Sequence, residues 1–217
     1  MPKFKGRYIV FEGIDGSGKT TQTYKLAKVF DKIGETHPNF WYLLTREPGG
    51  TVVGHKIREI LNDYHKDLSR ASKLFLFMAD RSENMTKHVI PMLHKGAHVI
   101  SDRSFYSSMA YQFEPRLDRK LDFCSIIPDM MTLISPFLMK PDIVFYLDVN
   151  PEDSANRISI DDDEISYLKD VRQEYLKISS LEEHNWHVID GLRRPSDIKD
   201  EILDVLNQQF PEENFKI

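Results

Sequence analysis

Tyr8-Ile9-Val10-Phe11-Glu12-Gly13-Ile14-Asp15-Gly16-Ser17-Gly18-Lys19-Thr20 is an apolar run that ends in a glycine-rich turn, a lysine and a threonine. A short, unbroken apolar run followed by glycine reads as a strand buried on both faces of a parallel sheet. From Gly13 onward the segment fits G-x-x-x-x-G-K-[ST] without exception. Glycines let the main-chain N–H groups of the loop, Ile14, Asp15 and Ser17 included, close around phosphate oxygens where a side chain would collide. Lys19 supplies a mobile cation for the outer phosphates, and the Thr20 hydroxyl is a ligand for Mg²⁺. Thr21 continues a helix whose positive end points at the same anion. The strand before and the helix after set this apart from an incidental glycine turn, and together they predict a nucleoside triphosphate site with magnesium.

Outward from that segment, apolar runs alternate with helical patterns. Phe40-Trp41-Tyr42-Leu43-Leu44, His98-Val99-Ile100, Ile143-Val144-Phe145-Tyr146-Leu147 and Trp186-His187-Val188-Ile189 read as four further strands. Helical stretches are expected over about 19–33, 54–61, 70–94, 121–138, 165–181 and 195–208. Such alternation implies right-handed β-α units. The expected fold is α/β, a P-loop NTPase with a five-stranded parallel sheet flanked by helices on both faces. No repeat or linker divides the 217 residues, so one domain (1–217) is expected, with a short lid segment near 157–166.

Composition narrows the function classes. The charge is −5, from 29 Lys+Arg against 34 Asp+Glu, with no basic tail, which argues against nucleic-acid or membrane-surface binding. One cysteine, Cys124, excludes an internal disulfide and suits a reducing compartment. No apolar run approaches the roughly 20 residues that span a bilayer, and the first six residues carry no signal-peptide stretch, so a cytoplasmic protein is expected. A switch GTPase needs an N-K-x-D element and a D-x-x-G switch at later strands, and neither is present. At this size a small-molecule kinase leads.

In parallel sheets, ligands bind beyond the carboxyl ends of the strands. The second strand runs into Thr45-Arg46-Glu47-Pro48-Gly49-Gly50-Thr51, where an arginine can grip a phosphate in a bidentate fork. The third runs into Ser101-Asp102-Arg103-Ser104, a carboxylate able to hold magnesium and a guanidinium able to bridge two phosphates. A turn at Pro48-Gly49-Gly50 and an ordinary strand-end ion pair at Asp102-Arg103 are the plainer readings, but three such groups converge on one edge. Phe77 and Arg81 lie four apart on one helix face. Locally they read either as a core ring with a capping arginine or as a wall that stacks a base, the first being the simpler.

Together these motifs resemble the thymidylate kinase family of P-loop nucleoside-monophosphate kinases, from about residue 7 to residue 198. Phe11 to Gln22, Arg46-Glu47-Pro48-Gly49-Gly50-Thr51, Asp102-Arg103 with Ala110-Tyr111-Gln112, and Pro141 to Val149 carry the resemblance. It implies transfer of a phosphoryl group from Mg-ATP to dTMP. Lys19 and its loop would hold the ATP phosphates, Thr20 the metal, and Asp102 the metal and phosphates. Asp15 would meet the sugar 3′-hydroxyl, Arg46 and Arg103 the acceptor phosphate, Phe77 the thymine ring and Arg81 a base carbonyl. Ser107, Ser108, Tyr111 and Gln112 would line the pocket for base and sugar. The loop near Asp190-Gly191-Leu192-Arg193 would lie on the adenine. A homodimer is also implied, with nucleotides as the other partners.

One departure stands out. The family carries a catalytic arginine either in the P-loop or in the lid, and here the loop position is Gly16. The lid reads Arg157-Ile158-Ser159-Ile160-Asp161-Asp162-Asp163-Glu164, one arginine followed by a run of acids. Arg157, helped by Arg172, is therefore the expected lid cation, and the acids read as a solvated loop. Two other readings compete. One is a deoxynucleoside kinase with Glu12 as base, which leaves Arg46 without a partner. The other is a nucleotide-binding regulatory module, for which intact Lys19, Thr20, Asp102 and Arg103 have little use. His94 and His98 are read as structural and the last seven residues as a frayed end.

Overall fold

The computed structural model describes residues 6–112, 139–181, 185–213 and 215. Five strands, β1 (Tyr8–Glu12), β2 (Tyr42–Arg46), β3 (His98–Asp102), β4 (Ile143–Asp148) and β5 (Trp186–Asp190), pair in parallel in the order β2-β3-β1-β4-β5. The helices are α1 (Lys19–Thr36), α2 (Val52–Asp63), α3 (Arg70–Asn84), α4 (Ile90–His94), α5 (Phe105–Gln112), α6 (Pro151–Ala155), α7 (Asp162–Leu181) and α8 (Pro195–Gln209). This is the α/β fold expected from the alternation of apolar runs and helical patterns.

Alternation along each strand feeds two cores. Ile9 and Phe11 of β1 and Phe145 and Leu147 of β4 pack against Leu26 and Phe30 of α1 and Ile202 and Leu206 of α8. Tyr8, Val10, Val144 and Tyr146 point the other way, onto Tyr106 and Ala110 of α5 and Leu168, Val171 and Tyr175 of α7. Both faces of the central strands are thereby buried, which is why their sequences read as continuous apolar runs. Each such side chain contributes roughly 1.5–3 kcal/mol of burial.

Four local expectations are corrected. The second strand starts at Tyr42, opposite His98, and reaches Arg46, opposite Asp102, because Phe40 turns into the core while Trp41 is exposed. The helix expected over 70–94 is interrupted by a π-helical turn, Met85–Val89, where the Ile90 N–H reaches back to Met85 O. Pro91 has no N–H to donate to the Lys87 carbonyl, so the ladder widens just before it. The acid run is not a loop. Asp161 Oδ1 accepts the Glu164 N–H at 2.9 Å, and Asp162, Asp163 and Glu164 form the first turn of α7, where the helix dipole favours negative charge. The described residues of the C-terminal segment are docked rather than frayed: Phe215 is buried and stacks on Phe30 at 5.3 Å, while Arg7 pairs with Glu212 and Glu213. The helix expected over 121–138, with Cys124, lies outside the described residues.

Candidate active site

Register brings three strand ends to one level. Asp102 stands opposite Phe11 across β1–β3 and opposite Arg46 across β2–β3, just where β1 gives way to the glycine loop. A cavity of about 1840 Å³ opens above them, walled by the loop, α2, α3, α5, the Arg157–Glu164 segment and the loop after β5. Pockets for one drug-sized ligand run to about 300–1,000 Å³, so this one has room for a donor and an acceptor together.

In the loop, Gly13, Gly16 and Gly18 all take positive φ (146°, 75° and 100°), a region that glycine enters without strain. Ile14 is buried beneath the loop, while Asp15, Gly16, Ser17, Gly18, Thr20 and Thr21 face the cavity. The Lys19 ammonium donates to Gly13 O at 3.0 Å and to Ile14 O at 2.8 Å. Burial, with Arg103 nearby, lowers its pKa to about 8. Thr20 Oγ1 donates to Asp102 Oδ2 at 2.5 Å. A hydroxyl and a carboxylate in contact at the helix N-terminus form an oxygen donor pair that fits a hard divalent cation.

Arg103 adopts φ 81°, unusual for a side chain with a Cβ, and this turns its guanidinium back over the loop. It donates to Gly13 O at 3.1 Å, Ser107 Oγ at 3.0 Å, Tyr111 OH at 3.3 Å and Asp15 Oδ1 at 2.5 Å. Arg103, followed by Lys19, holds the Asp15 carboxyl down at about 2. Glu12 lies behind this assembly, fully buried, and its two oxygens accept from Ser104 N and Oγ, Ser107 Oγ and Tyr175 OH at 2.6–2.8 Å. Burial raises its pKa despite the four donors and Arg103.

Arg46 is exposed at the cavity edge, and Arg58 of α2 stands beside it. Burial, then Arg46, presses the Arg58 pKa down. Phe77, partly buried, lines the same cavity. Arg81 is 3% exposed, neither a solvated cap nor a cavity-lining group. It donates to Glu47 Oε2 at 2.7 Å, Ser108 Oγ at 2.9 Å and Ser104 O at 2.8 Å, so Ser108 also sits below the wall. Ser107 and Tyr111 reach the cavity surface, and the side chain of Gln112 lies outside the described residues.

Arg157 is exposed and donates to Gly16 O at 3.0 Å and Gly191 O at 3.2 Å, which places it over the loop and beside the segment expected at the adenine. Arg172 does not join it. Its guanidinium is bidentate on Asp148, Nε to Oδ1 at 2.7 Å and Nη2 to Oδ2 at 2.8 Å, because the end of β4 presents an aspartate that needs a cation. Arg58, Tyr167 and Glu47 were not anticipated from the sequence. Arg58 follows the buried Ile57 on an amphipathic helix, and nothing local separates it from a solvated arginine. The Glu47–Arg81 ion pair joins residues 34 positions apart, a separation that no helical or strand periodicity encodes.

Residues 11–202 match the family model for thymidylate kinase. The chain is 36% identical to the thymidylate kinase of Chlorobium limicola over 94% of its own length and 95% of that protein, and 35% identical to that of Thermosipho africanus over 94% and 98%. The crystal structure of thymidylate kinase from Ehrlichia chaffeensis superposes with a TM-score of 0.73 at 32% identity, covering 93% of this chain and 98% of that one.

Proposed function

The chain belongs to the thymidylate kinase family and phosphorylates dTMP to dTDP, and from that premise we propose the part each residue plays and that Mg-ATP is the donor. The observation that carries this reading is the ring of cations around one cavity: Lys19 at the loop, Arg46 and Arg58 at the far edge, Arg103 between them and Arg157 above.

Lys19 and the loop N–H groups hold the outer phosphates of the donor. Arg46, Arg58 and Arg103 hold the phosphate of dTMP, and Asp15 meets the sugar. Phe77 stacks on the thymine and Ser107 and Tyr111 border it, while Arg81, bonded to Ser108 Oγ and Ser104 O, braces that wall from beneath. Thr20 and Asp102 hold Mg²⁺, which supplies charge neutralisation for the transferring phosphoryl group. One oxygen of the dTMP phosphate bonds to the γ-phosphorus, and the bond from that phosphorus to its bridging oxygen breaks, leaving the electron pair on ADP. That attacking oxygen is already ionised, so no general base is required and catalysis rests on positioning and on cations that match the dispersed charge.

Glu12 argues against a nucleoside kinase. A base for a sugar hydroxyl must face the acceptor, whereas both Glu12 oxygens are buried and saturated by four donors. Homodimerisation in the cytoplasm completes the proposal, supported by the exposed apolar side chains Val52, Val53 and Ile60 on α2 and Phe75 on α3. No helix among the described residues is long and apolar enough to cross a membrane. The test is ADP release with Mg-ATP against dTMP, dUMP, dCMP, UMP and thymidine. Turnover with dTMP far above the rest is expected, and turnover confined to thymidine overturns the roles given to Arg46, Arg58 and Arg103.

A further inference from the structure

The peptide group between Pro48 and Gly49 is held from both sides. Its N–H donates to Asp80 Oδ1 at 2.8 Å, and its C=O accepts from Arg58 Nη1 at 2.9 Å. A carboxylate on α3, one peptide of the turn after β2 and a guanidinium on α2 thus form a single hydrogen-bonded line. The packing around the line is close: a Cβ on Gly54 would lie 2.2 Å from Asp80 Oδ1, and a Cβ on Gly49 would lie 3.1 Å from Arg58 Cδ.

Asp80 is fully buried, yet Oδ2 has no hydrogen-bond partner among the described residues. Buried carboxylates ordinarily collect bonds to every oxygen, and Asp80 has no place in the phosphate machinery described above. Its charged surroundings are Glu47 on the turn, Arg81 beside it on α3 and Arg58 on α2. Burial lifts its pKa to about 6, with Glu47 adding to the rise and the Gly49 N–H opposing it.

We infer that Asp80 is a positioning residue for acceptor capture, orienting Arg58 toward the dTMP phosphate through the Pro48–Gly49 peptide. The inference rests on the reading of Arg58 as an acceptor-phosphate cation. Hydrogen bonds in a chain polarise one another. An ionised Asp80 draws on the peptide N–H and makes the Pro48 carbonyl a stronger acceptor for Arg58, which must be kept in place against Arg46. A protonated Asp80 releases that pull and leaves a buried hydroxyl to accommodate. Acceptor affinity therefore falls with pH more steeply than the titration of dTMP itself requires.

The test is kcat and the KM of each substrate from pH 5 to pH 8 in the wild type, Asp80→Asn, Arg58→Ala and the double variant. At pH 8, Asp80→Asn is expected to raise the KM for dTMP roughly tenfold, the weight of one hydrogen bond to a charged group, with the KM for ATP unmoved. In the Arg58→Ala background the same change should add nothing, and the extra acid-side rise in dTMP KM should be missing from both single variants. The titration of dTMP is common to all four proteins and cancels. Effects that multiply in the double variant, or an equal rise in the KM for ATP, make Asp80 merely structural and overturn the inference. If Asp80→Asn does not fold, identical pH profiles in the wild type and Arg58→Ala overturn it instead. An unchanged dTMP KM in Arg58→Ala sinks the reading of Arg58 itself, whereas a weakened Arg58→Ala beside an unaffected Asp80→Asn sinks only the coupling.

Discussion

Arg157 lies over Gly16, its Nη1 3.0 Å from the Gly16 carbonyl oxygen. The two positions are physically complementary. A Cβ on Gly16 would come within 2.5 Å of Ser154 Oγ, and Ser154 is already hydrogen-bonded to the Asp15 carbonyl. The loop has no room for a side chain of its own there, and the Arg157 guanidinium reaches over it from the segment after α6 instead. With Arg172 committed to Asp148, Arg157 is the arginine proposed to supply this charge. Arg157→Ala is expected to lower kcat about 10³-fold, the loss typical of an arginine finger, with little change in the KM for dTMP. Steady-state kinetics decide it, and a kcat within a few fold of wild type would falsify the assignment.

Thr20 and Asp102 touch at 2.5 Å across 82 positions of sequence, so removing either oxygen should weaken the one cation site proposed for both. Asp102→Asn should raise the Mg²⁺ concentration for half-maximal turnover at least tenfold while saturating Mg²⁺ restores part of the rate. Titrating Mg²⁺ at fixed ATP checks this. An unshifted midpoint would mean that Asp102 works on phosphate position alone.

The parts of this molecule that were legible in its sequence are the local ones. Five apolar runs and the segment from Gly13 to Thr20 declare themselves because strand burial and the phosphate loop depend on consecutive residues. The Pro91 interruption was equally present in the sequence, as a missing N–H inside a helical pattern. What sequence periodicity does not carry is which side chain meets which across the fold. Ser154 on the Asp15 carbonyl, Arg81 on Glu47 and Arg172 on Asp148 span 139, 34 and 24 positions. The expectation for Arg172 failed for that reason: its partner is set by the height at which β4 ends, which only the packed sheet reveals. The acid run misled for another reason, since charge density reads as solvation unless the helix start beneath it is recognised.

Phe77 faces the cavity while its neighbour Phe75 points to solvent at 60% exposure, so the two rings separate stacking from mere apolarity. Stacking of a base on an aromatic ring is worth about 1–3 kcal/mol. Phe77→Ala should therefore raise the KM for dTMP roughly 5- to 150-fold by that figure, leaving the KM for ATP in place. Phe75→Ala should leave both unchanged. If Phe77→Ala lowers only the melting temperature, the ring belongs to the core.

His98 is fully buried among Phe30, Phe40 and Phe215, with ring centroids at 5.6, 4.8 and 5.3 Å, and its Nε2 lies 3.9 Å from Glu213. Burial, with Arg7 adding to it, lowers its pKa from 6.5 to about 4 in spite of that carboxylate. Between those two values the unfolded chain binds the proton and the folded one does not, so stability rises with pH across this window. The contribution is fully present above about pH 6.5 and is lost as pH falls toward 4, amounting at most to about 3 kcal/mol. Asp80, with its pKa raised to about 6, works in the opposite sense, and it does so equally in any variant at position 98. Urea unfolding at pH 7 and pH 5 should show His98→Phe losing less stability between the two than the wild type does, by about 2 kcal/mol. Equal losses in both proteins would place the acid sensitivity elsewhere and leave His98 as a packing residue whose charge state does not matter.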